Sequence, residues 1–247
     1  MHALALILAR AGSKGVPGKN RAPVAGRPCV AWTIDAALAA RRVARVAIST
    51  DDPEIDSIAR RAGILTVERP PSLATDTARV DDAARDAVAQ LERRTPGDRV
   101  DAVAILYANV PIRPTGLIDR AIDLLVRERA DSVQSYQTVG KHHPWWTARV
   151  DPHTGLVTPW EGHVLNHGVF RRQDLPPAHV PDGGVLVVTR KALFLEIPDA
   201  PPGPHAFFGA QRRGVINPEG SVVDIDSPLD LLVADAMLRS GSPAPGA

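Results

Sequence analysis

Residues able to do chemistry gather in a few short runs. The most distinctive is Leu8-Ala9-Arg10-Ala11-Gly12-Ser13-Lys14-Gly15-Val16-Pro17-Gly18-Lys19-Asn20. Glycines admit positive φ and close backbone approach, so amide N–H groups can line an anion while Arg10, Lys14 and Lys19 add charge. That chemistry suits a triphosphate. The spacing is not a P-loop, because five residues separate Gly12 from Gly18 and Asn20 stands where a Ser or Thr would meet magnesium; GxxGxxG is not the dinucleotide fingerprint either. A solvated turn is the plain alternative. The second run is Val222-Val223-Asp224-Ile225-Asp226-Ser227-Pro228. Read as a strand, its period of two aims Asp224 and Asp226 at one face, where two carboxylates can hold a hard divalent cation. Asp226 or Ser227 can also simply cap a helix beginning at Pro228, and both roles can coexist.

Two further runs fall where strands should end. One is Ser49-Thr50-Asp51-Asp52-Pro53, in which Asp52 reads as a helix cap. The other is Arg69-Pro70-Pro71-Ser72-Leu73-Ala74-Thr75-Asp76-Thr77, whose Arg69, Thr75 and Asp76 could meet a base or ribose. Thr75 or Asp76 could equally cap the next helix. Six of the eight histidines and three of the four tryptophans lie within 140–184. No spacing there repeats a zinc module, and such a cluster reads as an interface. Cys29 opens an apolar helix and reads as a small buried hydrophobe.

The elements that must position these runs alternate. Apolar, partly β-branched segments at 3–9, 43–49, 64–67 and 100–106 read as strands buried on both faces, followed by helices over 30–40, 53–62, 77–94 and 115–128. A fifth strand is expected at 132–139. The pattern breaks down over about 140–184, which reads as an insert, and resumes with strands at 184–189 and 221–226 and a last helix over about 228–238. The fold class is therefore α/β, a mainly parallel sheet flanked by helices, with ligands expected at the carboxyl ends of its strands.

Composition sets the outer bounds. The chain has 247 residues, enough for one large domain with an insert, and its 29 basic against 28 acidic residues leave +1. No overall field draws it to nucleic acid or an anionic membrane. One cysteine excludes an internal disulfide and agrees with a cytoplasmic setting. No apolar run approaches a membrane span, and the stretch 3–9 lacks the basic region before it and the cleavage site after it that mark a signal peptide. The tail 240–247 is expected to be disordered.

These runs, in this order, resemble the CMP-acylneuraminate synthetases, the cytidylyltransferases that activate sialic acids and related nonulosonates. Arg10 to Asn20 resembles that family's ARxxSKGxPxKN loop, and Ser49-Thr50-Asp51 its STD. Arg69-Pro70 with Leu73-Ala74-Thr75-Asp76-Thr77 resembles RPxxLAxDT. His142-His143-Pro144, Pro181-Asp182-Gly183-Gly184 and Asp224-Ile225-Asp226 fall where the family has HHP, PNGA and DID. The likeness covers about residues 4–238.

It implies a Rossmann-like nucleotidyltransferase fold over 1–239, with the insert at about 140–184 closing a homodimer. It implies CTP and an acidic sugar as substrates, with Mg²⁺, or Mn²⁺ in its place, on Asp224 and Asp226. Arg10, Lys19 and Asp224 would be catalytic. Ala11, Gly12, Ser13, Lys14 and Asn20 would belong to the nucleotide loop, with Arg69, Thr75 and Asp76 bordering the cytidine. Tyr107, Asn109, Arg113, Arg172, Phe207 and Phe208 would face the sugar, the Phe pair resembling one that reaches toward the partner subunit's site. The implied reaction moves CMP from CTP to the anomeric hydroxyl of a nonulosonic acid and releases pyrophosphate. Two alternatives stand beside it: CTP-dependent transfer to another acceptor, such as Kdo, an amino-sugar analogue or a phosphorylated alcohol, and a nucleotide-binding protein without catalysis. The family's QPTSPLR is here Tyr107-Ala108-Asn109-Val110-Pro111-Ile112-Arg113, and Val180 and Asp182 stand where Arg and Asn are frequent. The half that would meet CTP matches, while the half that would meet the sugar is rewritten.

Overall fold

The computed structural model of the chain describes residues 1–12, 15–97 and 99–241. Strands β1 (Ala3–Ala9), β2 (Val43–Thr50), β3 (Leu65–Glu68), β4 (Ala102–Tyr107), β5 (Ser132–Thr138), β6 (His179–Thr189) and β7 (Arg212–Asn217) form one sheet in the order β7-β5-β6-β4-β1-β2-β3. All neighbours run parallel except β6, which is antiparallel to both β4 and β5. Helices α1 (Cys29–Leu38), α2 (Pro53–Arg61), α3 (Val80–Arg94), α4 (Leu117–Arg127), the single turn α5 (Arg190–Leu193) and α6 (Pro228–Arg239) cover it.

Strand β1 shows why the apolar runs lack alternation. Ala3, Ala5, Ile7 and Ala9 pack with Ile34 of α1 and Ile118 and Ile122 of α4, while Leu4, Leu6 and Leu8 pack with Ala84, Ala87, Val88 and Leu91 of α3. Both faces are core, and each buried leucine contributes roughly 1.5–3 kcal/mol. Alanines on the facing surfaces let the helices approach closely, which brings the strand ends and helix starts together at one edge. The caps are those the sequence specifies. Asp52 accepts from the backbone N–H of Glu54 and Ile55 ahead of Pro53, and Ser227 with Asp230 forms a capping box ahead of α6.

The structure departs from expectation in several places, and β7 is a strand that the sequence pattern does not announce. Residues 221–226 are not a strand. They run extended along the loop after β4, with one bridge between Val223 and Ile112, because β7 already occupies the sheet edge and Ile225, fully buried, anchors the run to Val24, Cys29 and Ile112. Helix α3 begins at Val80, since residues 75–78 form a turn in which the Ala78 N–H donates to the Thr75 carbonyl. Strand β6 begins at His179, five residues before the expected 184, so the irregular segment spans 140–178.

That segment is four short 3-10 turns and a small hairpin pairing Ala148–Val150 with Val157–Pro159. Its order comes from within. The Trp145 N–H donates to His143 Nδ1 at 3.1 Å, His143 Nε2 lies 3.0 Å from the Pro176 carbonyl, and the Trp145 ring stacks on His167 at 4.6 Å. The tail residues 242–247 lie outside the described residues.

Candidate functional site

The loop leaving β1 is fastened to the sheet at both ends. The Ala11 N–H donates to Asp51 Oδ1 at 2.8 Å, and Asn20 Nδ2 donates to the Arg10 carbonyl at 2.9 Å. Asn20 is buried and its own carbonyl accepts from Val30 N at the start of α1. Gly18 turns the chain with φ +66, and Gly15 abuts Asp226 so closely that a Cβ there would sit 2.2 Å from the Asp226 carbonyl oxygen. The loop and the Asp224–Asp226 run are thus two halves of one structure. Ser13 and Lys14 lie outside the described residues.

The Asp run is held from the other side by the loop after β4. The Ile225 N–H donates to the Asn109 carbonyl at 2.9 Å, and Asn109 Nδ2 donates to both Asp224 Oδ1 and the Ile225 carbonyl. Burial, then the charge of Asp226, pushes the Asp224 carboxyl up to about 6, with Lys19 and Arg113 pulling it back. Lys19 Nζ pairs with Asp226 Oδ1 at 2.5 Å and Arg10 Nη1 with Asp76 Oδ1 at 2.7 Å. Asp226 keeps most of its side chain in solvent.

A cavity of about 370 Å³ opens over this assembly. Arg10, Gly15, Lys19 and Asp226 line one part, Arg69, Thr75, Asp76 and Val80 another, and Tyr107 and Asn109 its floor. Arg69 is buried. It spends its Nε on Ser49 Oγ at 3.2 Å and one Nη on the Ser49 carbonyl at 3.1 Å, and burial draws its pKa down to about 10, so it remains a cation at neutral pH. A second cavity of about 380 Å³ adjoins it, sharing Ala78, Arg79, Val80 and Tyr107. Phe207, Phe208, His205, Gln134 and Leu186 complete the second wall. The two Phe rings meet edge to face at 4.6 Å, and the Arg212 guanidinium lies 5.5 Å over Phe208. The half-buried Tyr107 phenol is raised above its ordinary range, first by desolvation and then by the nearby Asp224.

Most of the expected site residues meet here, and some do not. Phe207 and Phe208 wall a cavity of their own chain. Asn109 reaches the site chiefly as the clamp on Asp224. Arg113 points away from both cavities: its nitrogens donate to the carbonyls of Gly184, Tyr107 and Val110 and to Thr33 Oγ1, four acceptors drawn together by the turn between β4 and α4. Arg172 sits at the base of the insert, ion-paired with Glu219 at 3.1 Å, and lines neither cavity. Three participants escape a reading of the sequence, namely Arg79, Gln134 and His205. Arg79 precedes a helix and Gln134 lies mid-strand, with nothing local to mark either.

Comparison with known proteins gives a consistent picture. Residues 4–147 match the family model described as cytidylyltransferase. An N-acylneuraminate cytidylyltransferase of Streptococcus agalactiae serotype III is 31% identical over 198 residues, covering 79% of this chain and 45% of the relative. The chain spans about half the length of that relative. A CMP-N,N'-diacetyllegionaminic acid synthase of Legionella pneumophila is 27% identical over 241 residues, 97% of each chain. Among solved structures, a CMP:2-keto-3-deoxy-manno-octonic acid synthetase complexed with CTP superposes with a TM-score of 0.68 at 16% identity, covering 98% of this chain and all of the other. That last likeness is one of fold.

Proposed function

The chain belongs to the cytidylyltransferase family and has its Rossmann-like nucleotidyltransferase fold; from that premise we propose that it transfers CMP from CTP to the anomeric hydroxyl of a nonulosonic, sialic-acid-like sugar acid, releasing pyrophosphate. The observation that carries this reading is the pair of joined cavities at the carboxyl edge of the sheet. One is lined by Arg10, Lys19, Arg69 and Asp226, the other by aromatic rings. A triphosphate suits the first and an acceptor the second, with Tyr107 on the seam.

In the free protein two of the loop cations face carboxylates, Arg10 on Asp76 and Lys19 on Asp226. Exposed pairs of this kind hold roughly 0–1 kcal/mol, so a triphosphate displaces them at little cost and gains preorganised cations. Arg10 and Lys19 then neutralise the charge that develops on the α-phosphate and the leaving pyrophosphate. Arg69, fixed by Ser49, holds the nucleoside end. Rate comes from alignment of the attacking hydroxyl with the α-phosphate.

Asp224 and Asp226 fit a hard divalent cation. Burial raises Asp224 and the neighbouring Asp226 carboxylate adds to the rise, a pair of acidic oxygen donors that a hard cation would relieve. Among the described residues no group of three or more His, Cys, Asp or Glu could hold a metal, so substrate oxygens would complete the shell. Mg²⁺, with Mn²⁺ as a substitute, would supply neutralisation of the triphosphate there.

The insert exposes Phe170, Leu156, Val157, Val164 and Val150, which suits burial against a second copy in a homodimer. No helix among the described residues is long and apolar enough to cross a membrane, and a single cysteine, which leaves no internal disulfide, suits a cytoplasmic setting.

The test is pyrophosphate release with Mg²⁺ and CTP against N-acetylneuraminate, N,N'-diacetyllegionaminate, pseudaminate, Kdn and Kdo, with ATP, GTP and UTP as controls. Release confined to CTP and a nonulosonate is the expected result, and Asp226→Asn should lower turnover at least a hundredfold. Near-normal turnover in that variant overturns the metal assignment.

A further inference from the structure

Arg79 is the one cationic side chain, among the described residues, that lines both cavities. It stands just before α3 and folds forward. Its Nε and Nη2 grip the two oxygens of buried Asp81 at 3.0 Å each, and Nη2 also donates to the Pro204 carbonyl at 2.9 Å. Asp81 is further bound by Arg85, which reaches Asp82 as well. Two guanidinium groups therefore balance two carboxylates. What remains open is Nη1 of Arg79, which has no hydrogen bond among the described residues, on a side chain 46% exposed.

The surroundings select what that N–H can meet. Its charge is already answered by Asp81, whose buried carboxylate would disfavour a second anion nearby. A neutral carbonyl oxygen has no such cost. The second cavity is also lined by Phe207, 5% exposed, Phe208, Leu186 and Pro204, apolar groups that gain by covering a methyl, with the polar Thr77, Gln134 and His205 beside them. An oxygen acceptor and a methyl joined in one planar group describe an acylamido substituent.

Resting on the reading given under Proposed function, we propose that Arg79 is a specificity-determining residue: its Nη1 donates to the carbonyl oxygen of an acylamido group on the acceptor sugar while the acyl methyl lies against Phe207 and Phe208. The reacting end of the acceptor is then at Tyr107 and Asn109, toward Asp224, and the acylamido group lies in the second cavity between Arg79 and the Phe pair. A hydroxyl in its place leaves the aromatic wall uncovered and Arg79 Nη1 poorly met, and sites built to bond a group reject analogues lacking it.

The experiment measures pyrophosphate release with CTP for N-acetylneuraminate and N,N'-diacetyllegionaminate against Kdn and Kdo, in the native protein, Arg79→Lys and Arg79→Met. The native protein should prefer the acylamido acceptors. In both variants kcat/KM for the acylamido acceptors should fall roughly ten- to hundredfold through KM, as for loss of a hydrogen bond to a charged donor. Values for Kdn and Kdo, and KM for CTP, should move less than about twofold. Arg85 remains on Asp81, so the Met variant keeps a buried carboxylate paired, and its melting curve with and without CTP reports folding separately. An unchanged acceptor ratio overturns the proposal, as does a native protein indifferent to the acylamido group. A rise in KM for CTP assigns Arg79 to the nucleotide and overturns it too. Silence of the native protein with every acid sinks the reading of function itself, and this inference with it, an outcome separable from the others because no variant is involved.

Discussion

The loop after β1 and the insert after β5 are both irregular, yet they are held in opposite ways. In the loop, backbone and side chains find partners on other elements: Ala11 on Asp51, Arg10 on Asp76, Lys19 and the backbone of Gly15 on Asp226. In the insert the contacts are mostly internal, as in the His143–Trp145–His167 stack, and large apolar groups face outward, with Phe170 at 84% and Leu156 at 64% exposure. The difference separates two uses of non-repetitive chain. A loop that must present charges at fixed positions is bonded to the sheet that positions it, whereas a segment whose outer face is apolar is finished only by another surface.

The largest effect that tests this contrast is expected at Gly15. Its would-be Cβ lies 2.2 Å from a backbone oxygen of Asp226, which cannot rotate away as a side chain could, whereas a Cβ on Gly12 has nothing within 4 Å among the described residues. Gly15→Ala should cost about 3 kcal/mol by overpacking and, by shifting the loop against Asp226, about a hundredfold in turnover. Gly12→Ala should leave thermal stability within about 0.5 kcal/mol of the native protein. Calorimetry and pyrophosphate release on the two variants decide it; equal effects would mean that the loop is not seated on the Asp run.

Next comes Arg113, which the family resemblance places among residues facing the sugar and whose donors here clamp four acceptors. Arg113→Met removes the donors of three carbonyls and Thr33 Oγ1. Leaving buried acceptors unmet should cost about 2 kcal/mol, a fall in Tm of roughly 4–8 °C for a chain of this size. The acceptor KM of the folded fraction should stay within about twofold. A large rise in acceptor KM with an unchanged Tm would restore the contact with sugar.

The reason for that difference is general. The βα order, Asp52 and Ser227 as caps, and the Arg10, Lys19, Arg69 and Asp76 grouping were legible because each depends on local period or on a run of residues in register. The direction of Arg113 is not legible, because a long side chain follows its acceptors, here the Thr33 hydroxyl in α1 and the Gly184 carbonyl in β6, far away in sequence. Asp224 and Asp226 share a site, as a strand would have had them, but for another reason: Ile225 is buried between them and the segment docks on Asn109. Strand β7 carries little signal in the sequence, because Arg212-Arg213-Gly214 opens it and only Val215 and Ile216 mark it as β. Arg79 had no local signal at all, since its importance lies in two cavities that meet only in the fold.

The smallest effect on the isolated fold is expected in the insert. Phe170 and Val164 contribute little to the core, so Phe170→Ser with Val164→Ser should change the stability of a single chain by less than about 0.5 kcal/mol. If the apolar face closes against a second copy, the native protein sediments as a dimer and the double variant as a monomer, and its melting temperature loses its dependence on protein concentration. A native monomer, or a dimer that survives both substitutions, would remove this face from the interface. The measurement also sharpens the contrast with the loop. There a single methyl group is expected to disable the site with the assembly intact, while here two exposed side chains would dismantle the assembly with Arg10, Lys19 and Asp226 still in place.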